Sequence, residues 1–413
     1  MKGIFSDLVV LELAGVLAGP SVGQFFAELG ARVIKLENPS TEGDVTRTWK
    51  MSKEASGGLS SYFYSCNWGK ESIAVNLKSV EGQAIMHALA SKADLVISNF
   101  IPKAARKLKA DYESLRQLNP EIIVGSIVGY EPDSDRPGYD AIIQAEAGYY
   151  YINGDPQSAD WKPTKMPVPL VDILAGHQLK QALLLAIIQK KATGKGSNVT
   201  VSLFDSAVSA LTSQATSYLV AGQVPAPMGS EHPNIAPYGS VYTSEDTRSL
   251  VLAVGTDRQF ASLCEVLNVQ GLATDPRFEK NADRVLNRQD LKRLLQASIA
   301  KLPRAHFLAL CEERGIPAGA VHQMDEVFDR VSEHVLLRNT AGRASGVREF
   351  VSWPHYSDGE IGSRSENLCP PPPFATSTYR VLSDFLGFTP SKIEGLIGSG
   401  AVECRTIQPA QTQ

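Results

Sequence analysis

The sequence is poor in the residues that build covalent or metal frameworks. Five cysteines (Cys66, Cys264, Cys311, Cys369, Cys404) are spread over 413 residues with no CxxC pair. That excludes a disulfide scaffold and fits reduced thiols in a cytoplasmic protein. The seven histidines are scattered without metal-ligand spacing, so no metal site is expected. Gly-x-Ser-x-Gly, the P-loop and HExxH are missing, which removes the commonest hydrolase, nucleotidase and metalloprotease readings. No unbroken run approaches the ~20 apolar residues of a membrane helix, so no membrane role is expected. Near the start, Val9 to Leu11 and Ala14 to Ala18 are apolar, but Glu12 interrupts them and only Lys2 precedes them as a base. They read as a buried strand and turn, not as a secretory signal. A net charge of -4 gives no sign of a polyanion-binding surface, so nucleic acid is not expected as a partner, and a local basic patch would serve a small phosphorylated ligand.

What is present is an alternation of short apolar runs and helical patterns. Strands are predicted at Leu8–Leu13, Arg32–Leu36, Ile73–Leu77, Leu95–Ser98, Ile122–Ile127 and Asn198–Leu203. Helices are predicted at Ser21–Leu29, Glu81–Lys92, Tyr112–Gln117, Val171–Lys190 and Asp205–Val220. Strands separated by helices pair in parallel with right-handed crossovers, which is the doubly wound α/β class. Its ligands gather at the carboxyl ends of the strands. The texture turns to Pro, Gly, Ser and Asn around Pro225–Tyr238, marking a boundary. Residues 1–224 and 326–413 are assigned to a large Rossmann-like domain, and 225–325 to a smaller α+β domain. The small domain is expected to carry strands near Val241 and Leu250 and helices near Gln259, Asn287 and Arg304. A final helix is expected near Thr378–Leu386.

Read by position alone, the functional candidates have structural explanations. Asp172 precedes a dense apolar helix and reads as its N-cap. A carboxylate at that end of a helix also stays ionised, hence nucleophilic. Pro137-Gly138-Tyr139-Asp140 is ordinary turn chemistry. Lys35, Lys70, Lys78, Lys103, Arg106 and Lys107 fall near strand ends or helix starts. Each alone is a solvated surface charge; together they would make a phosphate-binding rim.

An ordered set of segments resembles the class III CoA-transferase (CaiB/BaiF, formyl-CoA transferase-like) family. The set opens with Leu17-Ala18-Gly19-Pro20, Ala27 to Glu37 and Gly43-Asp44-Val45-Thr46-Arg47. It continues with Asn67-Trp68-Gly69-Lys70, Asn76-Leu77-Lys78, Asn99-Phe100-Ile101-Pro102 and Pro137 to Asp140. Asp172-Ile173-Leu174-Ala175-Gly176, Thr193 to Gly196, His232-Pro233, Asp275 to Phe278 and Gly315 to Gly319 complete it. No segment is decisive by itself, but the order along nearly the whole chain is specific.

The resemblance implies a CoA-binding large domain, a small domain and an interlocked homodimer. It implies a transferase that moves coenzyme A from an acyl-CoA to a free carboxylic acid, with Asp172 as nucleophile. CoA thioester is then substrate, and no permanently bound cofactor is expected. CoA contacts carry over to Val16, Ala18, Asn38, Val75, Lys78, Asn99, Phe100, Ala104, Lys107 and Leu108. Acyl-site contacts carry over to Leu17, Tyr139 and Gly229. Backbone N–H groups near Leu17 and Ala18 would stabilise oxyanions.

Departures bear on the substrate. Leu17 stands where formyl-CoA transferases carry glutamine, Asn38 and Pro137 replace bases, and Lys103 replaces a glycine. Only Gly229-Ser230 stands for the glycine-rich loop, which argues against a formyl-CoA/oxalate pair. The rival reading is a 2-methylacyl-CoA racemase-like epimerase, which needs a histidine where Tyr139 stands. A phenol with a pKa of about 10 is a poor substitute at neutral pH.

Overall fold

A computed structural model of the chain describes residues 3–55, 58–154, 162–351 and 368–406. It separates into two compact units. The first is built from residues 1–147, 167–215 and 332–413, the second from 148–166 and 216–331.

The first unit is a mixed α/β structure around a seven-stranded sheet. Its parallel strands are β1 (Val9–Glu12), β2 (Arg32–Glu37), β3 (Lys70–Val75), β4 (Leu95–Ser98), β5 (Ile123–Val128) and β6 (Ser197–Ser202). They lie in the order β3-β2-β1-β4-β5-β6, and a two-residue strand, Val402–Glu403, adds antiparallel to β3. Helices α1 (Ala18–Glu28), α2 (Val80–Ala90), α3 (Pro102–Leu108), α4 (Asp140–Glu146), α5 (Leu170–Thr193) and α6 (Leu203–Ala210) connect or cover them. Near-continuous burial of β1 to β5 requires cover on both faces, which explains their Val/Ile/Leu-rich composition. One core cluster joins Leu11, Ile34, Ile73, Ile85 and Val96 to Val381, Leu382 and Ile393 from the far end of the chain.

This strand order reverses direction between β1 and β4, and such a switch point opens a crevice at the carboxyl ends of the strands. The turn after β1 (Gly15 to Leu17) and the loop after β4 (Asn99 to Ile101) both leave from that point.

The second unit carries a three-stranded antiparallel sheet of β7 (Tyr238–Thr243), β8 (Ser249–Ala253) and β9 (Ala318–Ala320). Helices α7 (Asp257–Val266), α8 (Arg288–Ile299) and α9 (Arg304–Glu313) supply Phe260, Leu263, Leu295 and Phe307 to its core. The stretch 148–166 groups here although the sequence assigned it to the large domain. Backbone bonds explain this: Met228 and Gly229 donate to the carbonyls of Ile152 and Gly154, at 3.2 and 2.9 Å.

Three further expectations are corrected. The single helix expected at Asp205–Val220 is broken into Leu203–Ala210 and Ser213–Ala221, with Thr212 between them at φ 44°. The final segment holds a second helix, Pro390–Gly398, beyond the one anticipated. Helix α5 is, on average, long and apolar enough to cross a bilayer, which a search for unbroken apolar runs misses. Within its unit it packs on α1, α6, β5 and β6, burying Val171, Ala175, Leu179 and Leu183.

Candidate functional site

Two adjoining cavities open at the switch point. The first, of about 270 Å³, is lined by Gly15 to Ala18, Asn99 to Ile101, Ile127 to Gly129, Pro137 to Asp140, Asp172 and Leu203. The second, of about 390 Å³, is lined by Leu13 to Val16, Lys35 to Asn38, Gly43, Asp44, Val75 to Lys78, Asn99, Phe100 and Leu108. They share Gly15, Val16, Asn99 and Phe100, so they form one continuous groove with two ends.

Most of the predicted residues are brought together here. Asp172, Leu17, Ala18 and Tyr139 line the first cavity, and Asn38, Val75, Lys78 and Leu108 the second. Val16, Asn99 and Phe100 line both. Ala104 and Lys107 sit on α3 and line neither, while Gly229 belongs to the second unit. Tyr139 is 68% exposed, with its ring at the rim.

Asp172 is not the helix cap the sequence suggested. Helix α5 begins at Leu170 with Pro169 before it, and Asp172 lies in the first turn. The capping role is taken across the fold by Asp140, whose carboxylate accepts the Val171 N–H at 2.9 Å. Gln144, fully buried, donates to both Asp140 (2.9 Å) and the Val168 carbonyl (3.2 Å), fixing the approach to α5. Asp172 therefore stands, partly buried, where the helix's N-terminal partial charge favours an anion. The α1–α5 approach is close: a Cβ on Gly176 would lie 2.7 Å from Ser21 Oγ and 3.2 Å from the Ala18 carbonyl. That contact brings the first turn of α5 to the turn after β1.

Two of the proposed rim lysines are not at a rim. Lys35 and Lys70 are buried at 1% and 4% exposure. Lys35 pairs with Glu12 and Asp44, both at 3.0 Å, and donates to the Ala14 carbonyl at 2.8 Å. Lys70 pairs with Glu12 at 2.8 Å and donates to the Pro20 carbonyl and Asn67. The Asn67-Trp68-Gly69-Lys70 segment thus ties β3 to β1 and α1. Gly23 has a direct reason: a Cβ there would collide with Glu12 Oε2. Burial pulls the Lys35 ammonium down, but Glu12, Asp44 and Glu37 outweigh it and raise it well above its ordinary value. For Lys70, burial wins, with the nearby Lys35 charge adding to it, and the ammonium is lowered.

Sequence reasoning missed Asp44 and Asp140, which line the cavities, and Tyr62, which lies within electrostatic reach of Asp172. Burial, and then the charge of Asp172, push the Tyr62 phenol up to about 12, so it stays a hydrogen-bond donor at ordinary pH. No local pattern marks it, because its neighbour is 110 positions away. Asp44 stood within a segment that carries the family resemblance, with no role given to it, and Asp140 read as a turn residue. Lys78 is exposed at the second cavity, and Lys103, whose N–H donates to Asp135 at 2.6 Å, is exposed on α3. Among the described residues no cluster of His, Cys, Asp and Glu has the arrangement of a metal site.

Comparison with known proteins fits this site to a family. The model for CoA-transferase family III matches residues 5–360. The chain is 38% identical over 334 residues to a succinate–glutarate CoA-transferase of Agrobacterium fabrum, covering 79% of this chain and 82% of that one. It is 34% identical over 406 residues to a succinyl-CoA:glutarate CoA-transferase of Mus musculus, covering 95% and 89%. A crystal structure of a CaiB/BaiF family protein from Brucella suis superposes with a TM-score of 0.75 at 36% identity, covering 89% of this chain and 97% of that one. With the match running through the whole groove, from the turn after β1 to Asp172 and beyond, the chain belongs to CoA-transferase family III.

Proposed function

We propose that this enzyme transfers coenzyme A between carboxylic acids through covalent intermediates on Asp172. The observation that carries the reading is the two-ended groove. One end holds a helix-terminal carboxylate beside a backbone turn, and the other is a larger cleft with Lys78 among its lining residues.

The chemistry follows from a carboxylate nucleophile. Asp172 attacks the thioester carbonyl, the C–S bond breaks, and CoA leaves as thiolate, giving a mixed anhydride. The thiolate then attacks the aspartyl carbon, releasing the donor acid and leaving an aspartyl-CoA thioester. The acceptor carboxylate attacks that thioester, and the same two steps in reverse deliver the new acyl-CoA and restore Asp172. In this reading the larger cleft holds CoA through Asn38, Val75, Lys78 and Leu108, and Leu17 and Tyr139 border the acyl group. N–H groups of the turn at Leu17 and Ala18 stabilise the oxyanions. Tyr62, kept protonated beside Asp172, offers a further donor. Because two relatives exchange CoA between succinate and glutarate, dicarboxylic acids are the first pairs proposed here. The working form in this reading is a homodimer.

The test is to trap the enzyme with hydroxylamine or borohydride during turnover on succinyl-CoA with an acid panel, then map it by mass spectrometry. Modification of Asp172 alone, absent in Asp172→Asn together with a loss of transfer of at least about a thousandfold, is expected. An unmodified Asp172 in a turning-over enzyme would sink the mechanism. Deuterium entering the α-carbon of a chiral 2-methylacyl-CoA without any acceptor acid would replace it with epimerase chemistry.

A further inference from the structure

The turn after β1 contains an anomaly that the transfer chemistry does not by itself explain. Val16 has φ 71°, the left-handed region, although it is β-branched. A β-branched residue there is strained and persists only where its surroundings enforce it. The neighbouring Gly15, which adopts that region without cost, does not take it; Val16 does.

Asp44, Asn99 and Cys66 supply the enforcing contacts. The Val16 N–H points at the Asp44 carboxylate, 3.1 Å from Oδ2 and 3.3 Å from Oδ1. On one side, Gly15 is held by a two-way bond with the Asn99 amide: N–H to Oδ1 at 3.1 Å, and Nδ2 to the Gly15 carbonyl at 2.9 Å. On the other, the Val16 carbonyl accepts from the Cys66 thiol at 3.5 Å. Asp44 is itself immobilised. Its side chain is 1% exposed, pairs with Lys35 at 3.0 Å and accepts from the Thr46 N–H and hydroxyl at 3.0 and 2.8 Å. Its own N–H donates to Glu37, which is clamped by Arg47 and by Ser72.

We infer that Asp44 is a positioning residue for the reaction: from the buried charge network it holds Val16 left-handed, so that Leu17 and Ala18 face Asp172 in the same cavity. Spent on the backbone and on Lys35, it acts through Val16 and not on the substrate. Lys35 and Glu12 supply the rigidity behind it. This inference rests on the transfer reading for its kinetic consequence, whereas its structural consequence is independent of that reading.

The test is Asp44→Asn, made both in the native background and with Val16→Gly, read by crystal structure and by transfer kinetics. In the native background, Val16 is expected to relax to negative φ, and kcat/KM to fall at least tenfold. Glycine adopts positive φ without enforcement, so in the Val16→Gly background the same change is expected to cost less than threefold. The loss in Tm should be the smaller in the native background, where relaxation of Val16 releases strain that glycine does not carry. A merely structural Asp44 would give equal kinetic losses in both backgrounds, and that result overturns the inference. So does a Val16 that stays at positive φ in Asp44→Asn. If Asp44→Asn does not fold, Asp44→Glu keeps the charge for Lys35 but displaces the carboxylate from the Val16 N–H, and the same outcomes decide. An unmodified enzyme that transfers CoA to no acid refutes the transfer reading, and the φ of Val16 then decides the positioning role alone.

Discussion

At the residue scale, the groove is supported by charges that sequence inspection assigned to the surface. Glu12 is the hinge of this arrangement: fully buried, it is the shared counter-ion of Lys35 and Lys70. A lysine near a strand end is usually solvated, and only the parallel register reveals otherwise, since Glu12 lies opposite Lys35 across β1 and β2. Removing one member of a buried ion cluster leaves an uncompensated charge, which costs about 3–5 kcal/mol. Glu12→Gln keeps the shape and deletes the charge, so it is expected to lower unfolding free energy by about 3 kcal/mol or more, read by urea denaturation. A loss below about 1 kcal/mol would mean that Asp44 alone satisfies the cluster.

At the element scale, the hydrophobic pattern located the six parallel strands to within a few residues, because β1 to β5, buried on both faces, are short apolar runs with little ambiguity and β6 alternates. It failed where geometry is set by another element. Asp172 read as a cap because helix ends are recognised by the local residue, and here the cap, Asp140, comes from 32 positions upstream. The break at Thr212 carries no glycine or proline to announce it. The interhelical contact at Gly176 was likewise invisible, since a glycine inside a helix pattern reads only as a mild destabiliser. Its neighbours give it a purpose: Ser21 Oγ and the Ala18 carbonyl occupy the space a methyl would need. Gly176→Ala must turn the Ser21 hydroxyl aside and widen the α1–α5 contact at the Ala18 carbonyl by a few tenths of an ångström, shifting Asp172 relative to Leu17 and Ala18. An overpacked contact of this kind costs about 1–3 kcal/mol, partly offset by the better helix propensity of alanine. The expected result is a small change in melting temperature with a fall in kcat of about threefold to tenfold, since a full ångström of misplacement costs about a hundredfold and a few tenths correspondingly less. Steady-state kinetics beside a thermal melt checks it; unchanged kcat would show that α1 and α5 do not jointly set the site.

At the scale of the whole molecule, the large unit is closed by its far end. The strand order could be anticipated as doubly wound, but nothing local in Val402-Glu403 says that two residues will pair with β3, and a strand so short leaves no periodicity to read. What commits this segment is burial. Val381, Leu382, Ile393, Ala401 and Val402 are all at 3% exposure or less and belong to or abut the sheet's core. Backbone bonds run from Gly69 to Cys369, from Ser377 to Ser72 and from Asn76 to Ala401. The Ser72 hydroxyl, which accepts the Ala375 N–H at 2.9 Å, also donates to Glu37 and so ties the tail to the network behind Asp44. Tolerance to truncation follows the burial and bonding of the backbone removed, not its position in the chain. Ending the chain after residue 367 would strip one face of β3 and open part of the core cluster. The truncated protein is therefore expected to lose its cooperative thermal transition. Circular dichroism melts of the truncated and the full chain side by side make the comparison. A cooperative transition in the shorter one would show that the sheet is complete without its seventh strand, and that Glu37 and Asp44 are held from within the first hundred residues alone.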